Sequence, residues 1–91
     1  MSPIKPQTVL DAEEIVKECL KLLEQKNIDY GDSWRRYGAN GAFIRLSDKF
    51  FRLEHLYWNK KEPVVDTEKL EDTARDLINY AILFLVALQG K

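Results

Sequence analysis

Apolar residues in this chain recur at steps of three and four, and strand-like alternation is absent. That period is helical. Ile15, Val16, Cys19, Leu22 and Leu23 share one face of a first predicted helix, Asp11 to Lys26, and Glu13, Glu14, Lys17, Glu18 and Lys21 fill the other. A second helix is predicted from Ala42 to Trp58. Phe43, Leu46, Phe50, Leu53 and Tyr57 line one of its faces, and Arg45, Asp48, Arg52, His55 and Asn59 another. Pro63, in the run NKKEPVV, is the expected stop. A third helix starts at Asp66 or Thr67, either of which can cap it, and runs to about Gln89, with Gly90 ending it.

The third helix carries a broad apolar face of Leu70, Ala74, Leu77, Ile78, Ala81, Phe84, Leu85 and Leu88. Opposite runs a stripe of Glu68, Asp72, Asp76 and Asn79 that turns apolar at Leu83, Val86 and Ala87. A surface helix stays polar along its outer face, so the C-terminal half of this helix is expected to be covered on both sides. Three helices offer too little cover within one chain, which predicts a symmetric homo-oligomer, a dimer or tetramer. Before the helices, residues 1–10 hold Pro3 and Pro6 and are expected to form a flexible arm; residues 11–91 form a single helical domain. Between the first two helices, Lys26 to Gly41 reads as a long loop, with turn-forming Gly31, Gly38 and Gly41 beside Asn and Asp. The expected fold is therefore all-α: three main helices, a long loop between the first two, and an oligomeric helical bundle.

Composition narrows the function. Of 91 residues, 45% are hydrophobic, which is much apolar material for so small a body and agrees with burial between copies. The net charge of −1, from 14 basic and 15 acidic residues, lacks the basic footprint of a general nucleic-acid binder. The one cysteine, Cys19, excludes an internal disulfide and fits a reducing compartment. The start, MSPIKPQTVL, lacks a signal-peptide core. The most apolar run, Leu77 to Leu88, is interrupted by Asn79 and falls short of the roughly 20 residues that span a bilayer. A cytoplasmic protein with no membrane partner is expected.

Several residue groups offer chemistry. Asp72 and Asp76, one helical turn apart, are placed to share a divalent cation, and magnesium accepts one or two carboxylates with phosphate oxygens completing its shell. Asn79, a turn further, can bond a sugar or base. The plain alternative is an acidic edge near a helix start, favoured by the macrodipole. Glu14 and Glu18 repeat the spacing and read most simply as a solvated face. Arg45, Lys49, Arg52 and His55 can meet phosphates or simply face water. In the connector, Tyr30, Trp34, Arg35, Arg36 and Tyr37 combine stacking surface with positive charge; such a loop can cover a nucleotide, ring on base and guanidinium on phosphate. Neither a Walker loop nor a zinc cysteine pair is present.

The phrases KNIDYGDSW, DKFFRL and DTARDLINYAI resemble a small helical family common in phages and prophages, the nucleotide modification associated domain. That family in turn is similar to the MazG-like, all-alpha nucleoside triphosphate pyrophosphohydrolases. The resemblance covers about Lys26 to Leu85. It rests most on Lys26, Asn27, Asp29, Tyr30, Gly31 and Asp32, then on Asp72, Asp76, Leu77, Asn79 and Tyr80, with Lys49 and Arg52 matching a looser pattern. It implies a helical bundle assembled as a dimer or tetramer. It also implies magnesium held by acidic residues of two helices, and cleavage of a nucleoside triphosphate to monophosphate and pyrophosphate. Carried onto this chain, Asp76 matches the aspartate of the last metal motif, and Asp72 stands near its glutamate, so both are the candidate catalytic and metal residues. Lys26, Asp29, Tyr30, Asp32, Trp34, Arg35, Arg36, Lys49, Arg52, Asn79 and Tyr80 are the candidate ligand-binding residues. The hydrolases place a glutamate cluster on the preceding helix, where this chain has Asp48, Lys49, Arg52 and Glu54. The alternatives are a non-catalytic, nucleotide-sequestering phage protein with a pocket between subunits, and a helical interaction module without a ligand.

Overall fold

The computed structural model describes residues 4–60 and 66–91, apart from the side chain of Tyr30. Pro3 and Pro63, to which the sequence assigns an arm and a helix stop, lie outside the described residues. The elements are α1 (Gln7–Tyr30), a 3-10 segment (Ser33–Tyr37), α2 (Gly38–Leu53), a π-helical segment (Glu54–Trp58) and α3 (Thr67–Leu88). No strand occurs among the described residues. The chain divides into two compact units, Met1–Gly31 and Asp32–Lys91.

The first unit is built on α1. This helix begins four residues before the expected Asp11, because Pro6 sits at its N-cap with φ −59°. A proline there loses no hydrogen bond, since the first turn has no acceptor for its missing N–H. The Pro6 carbonyl accepts from the Val9 and Leu10 N–H groups at 3.0 and 3.2 Å, and Gln7 Nε2 donates to Asp11 Oδ1 at 3.0 Å. Nothing between Gln7 and Tyr30 breaks a helix, so α1 also runs four residues past Lys26. Gly31 stops it, with φ 63° and ψ −147°, a conformation reserved almost wholly for glycine. Its N–H donates to the Asn27 carbonyl at 2.7 Å.

The connector is therefore not a long loop. α1 takes its first residues, Ser33–Tyr37 wind as a 3-10 turn, and Gly38, again at positive φ (58°), opens α2. Gly31 and Gly38, both at positive φ, bracket this stretch, and Ser33–Tyr37 between them contain no breaker and stay helical; Gly41, expected to form a turn, lies inside α2 instead. Gly41 matters for another reason. A Cβ there would stand 2.8 Å from the Cβ of Tyr37, so only glycine lets the 3-10 segment fold against the start of α2.

In the second unit, α2 and α3 pack side by side in opposite directions. Phe43 meets Phe84 with ring centroids 6.1 Å apart, and further along α2 Lys49 meets Asp76, further back along α3. Asp66 caps α3, its Oδ1 accepting from the Lys69 N–H at 3.1 Å. The buried positions of this unit are Ala42, Thr73, Asn79 and Leu83. This departs from the expected core. The Leu70–Leu88 stripe is not the most deeply covered side of α3; Thr73, Asn79 and Leu83 are. The sequence places Asn79 among the polar positions, Leu83 where that stripe turns apolar, and Thr73 on neither. Leu85 and Leu88 remain exposed, as do Phe43, Phe50 and Tyr57 on the apolar face of α2. At the end of α2 the winding loosens: the Asn59 N–H donates to the Glu54 carbonyl at 2.8 Å, an i to i+5 bond.

Candidate functional site

The sequence-derived site residues fall into three groups. Lys26 and Asp29 lie on the last turns of α1, Lys26 half-buried and Asp29 exposed. They belong to the first unit. Tyr30 lies beside them with its side chain outside the description.

The second group is the 3-10 segment. Asp32 stands at its start, and its Oδ2 lies 3.4 Å from Arg35 Nε. The Arg35 guanidinium sits 4.6 Å from the centre of the Trp34 ring, and its Nη1 donates to the Lys91 carbonyl at 2.7 Å. Arg36 lies over Tyr37 at 5.8 Å. The arginines and rings thus stack on each other. Arg35 also ties the 3-10 segment to the turn that ends α3, a structural role that its charge alone did not announce.

The third group lies between α2 and α3. Lys49 Nζ stands 3.3 Å from Asp76 Oδ2, with the two side chains only 28% and 18% exposed. Asn79, one turn on from Asp76, is buried, and Tyr80 is half-buried. Of the basic residues on α2, Lys49 reaches Asp76 on α3. Asp72 is 67% exposed and accepts from Arg75 Nη1 at 3.2 Å; Arg75 Nη2 also reaches Glu71 Oε2 at 3.6 Å. The two candidate metal carboxylates therefore share a helix face but not an environment, and each has a cation at hand. Among the described residues no group of three or more histidine, cysteine, aspartate or glutamate side chains stands together as a metal site.

Two residues here escaped sequence reasoning. Thr73, between the two aspartates, is buried, and its Oγ1 donates to the Lys69 carbonyl at 2.7 Å. Arg75, which meets Asp72, has no place among the sequence-derived candidates. For Thr73 the readable signal was the step of three linking it to Asp76 and on to Asn79, which marks a second inward face.

The family profile described as nucleotide modification associated domain 1 matches residues 26–88, from the last turns of α1 to the end of α3. The chain belongs to the nucleotide modification associated domain 1 family. The match takes in all three groups above and most of the chain. No curated protein and no solved structure matches. In this family member no helix of the described residues is long and apolar enough to cross a membrane.

Proposed function

We propose that the chain binds a nucleoside triphosphate at the face formed by Lys49, Asp76 and Asn79. The half-buried Lys49–Asp76 pair carries this reading. A lysine ammonium is a compact point charge suited to phosphate, and here a carboxylate holds it in place at a partly dehydrated spot. Arg52, three residues on and exposed, supplies a second cation to the same phosphate chain. Asn79 offers an amide to sugar or base. Magnesium enters with the triphosphate. Asp72 and Asp76, one turn apart, are the residues that would hold it, and two carboxylates with phosphate oxygens suit that ion. When bound it neutralises phosphate charge and activates water.

Cleavage of the bound triphosphate by water, to monophosphate and pyrophosphate as in MazG-like enzymes, is the second reading, and the one-turn spacing of Asp72 and Asp76 favours it. Retention without cleavage is favoured by the cations already set against both carboxylates, Lys49 on Asp76 and Arg75 on Asp72. A dimer or tetramer completes the pocket in either case. Its support is the apolar surface left open on one chain: Phe43, Phe51 and Leu88 are 58%, 61% and 61% exposed. The cytoplasm, where nucleotides are handled, is the corresponding location. The test is incubation with a panel of nucleoside triphosphates and magnesium, followed by chromatography. Monophosphate and pyrophosphate establish cleavage, intact nucleotide retained by the protein establishes sequestration, and no interaction with any nucleotide refutes both.

A further inference from the structure

Within the Asp32–Lys91 unit, the end of α2, the π-helical segment and the first two turns of α3 line an open cavity of about 600 Å³. Small-molecule sites commonly measure about 300–1,000 Å³, so a nucleoside-sized body fits. Phe50, Tyr57 and Trp58 contribute aromatic wall, and Trp58 is 80% exposed. The loosened winding at Glu54–Trp58 brings Tyr57 and Trp58 to this wall; π-helical turns inside helices recur at functional sites. Among the described residues the charged groups on the lining are both carboxylates, Glu54 and Glu71, the latter with Arg75 Nη2 3.6 Å from its Oε2.

Aromatic walls accept the face of any base. Ionised carboxylates only accept hydrogen bonds, so they select the base edge richest in N–H. Guanine sets a ring N–H beside an exocyclic amine, two donors that match one carboxylate. Adenine and cytosine offer one amine beside an acceptor, and uracil one N–H between two carbonyls that a carboxylate repels. Phe50 follows Lys49 in sequence and Ala74 is two residues before Asp76, so the cavity and that pair share turns of α2 and α3 but stand on different faces of them.

We propose that this cavity is a base pocket for a guanine-type nucleobase, stacked on Tyr57 or Trp58 and bonded through its N–H edge to Glu54 or Glu71. For its phosphate end alone, the inference rests on the nucleotide reading of the Lys49–Asp76 site. Two probes separate them: guanosine tests the pocket, and inorganic tripolyphosphate tests Lys49. In Trp34→Phe the tryptophan emission comes from Trp58, since the chain has two tryptophans. Guanosine should quench that emission and bind at least about tenfold more tightly than uridine. Glu54→Gln with Glu71→Gln should remove the preference while far-UV circular dichroism stays unchanged. Absence of quenching, equal affinity for guanosine and uridine, or Trp58 emission that responds only to protein dilution, as a contact between copies would, overturns the pocket. Guanosine binding without tripolyphosphate binding upholds the pocket and refutes the Lys49 reading; the reverse result refutes the pocket alone.

Discussion

Replacing Asp76 with asparagine keeps the side-chain shape and removes the charge facing Lys49. At 3.3 Å the attraction is about 5 kcal/mol at an effective dielectric of about 20, and most of it is offset by the water both groups give up. Exposed pairs net about 0–1 kcal/mol, and breaking a buried pair costs about 3–5 kcal/mol. With the two side chains 28% and 18% exposed, the expected loss lies between, about 1–2 kcal/mol. For a domain of this size that lowers the melting temperature by about 4–15 °C. Lys49→Met should cost a similar amount, and the double variant less than the sum, with a coupling of about 1 kcal/mol. Far-UV circular dichroism melts at one fixed protein concentration measure all four proteins, since assembly would make the midpoint concentration-dependent. Single-variant losses that add to within about 0.5 kcal/mol would refute the claim that these groups hold each other.

Three other outcomes are expected. Gly41→Ala gains helix propensity but drives a Cβ to 2.8 Å from the Cβ of Tyr37, and a net loss of about 1 kcal/mol should appear in the same melts. Asp66→Ala removes the cap bonded to the Lys69 N–H and should lower stability by about 1 kcal/mol, with Asp66→Ser restoring most of it. Light scattering at micromolar concentration should find a dimer or larger assembly, given the exposed Phe43, Phe51, Leu85 and Leu88; a stable monomer would contradict the interface reading.

The helices and their chemistry were unequally legible in the sequence. The start of α3 was readable to within one residue, because Asp66 and Thr67 are both capable caps ahead of an apolar period, and it is Asp66 that caps it. The period of three and four also gave three helices. The connector misled because Gly31 and Gly38 mark turns without saying what lies between them; five residues without a breaker wind into a 3-10 segment. Pro6 misled in the opposite way, since a proline reads as loose chain or as helix start depending only on the residues after it. On α3 the count of apolar residues pointed to the leucine stripe. How each side is covered depends on α2: Phe43 meets Phe84 on the leucine stripe, and Lys49 meets Asp76 on the polar one. Of the site, residue types were visible and pairings were not. Trp34 and Arg35 read as a stacking surface and a charge awaiting a ligand, yet they stack on each other.

The central claim is that Lys49, held by Asp76, meets the phosphates of a bound nucleotide. Calorimetric titration of magnesium with each of the common nucleoside triphosphates, into wild type and Lys49→Met, tests it most directly. Wild type should bind at least one of them, and Lys49→Met should bind it at least about tenfold more weakly, the worth of one charge-assisted hydrogen bond. A folded Lys49→Met protein that binds as wild type does, or a wild type that binds none of them, would contradict it.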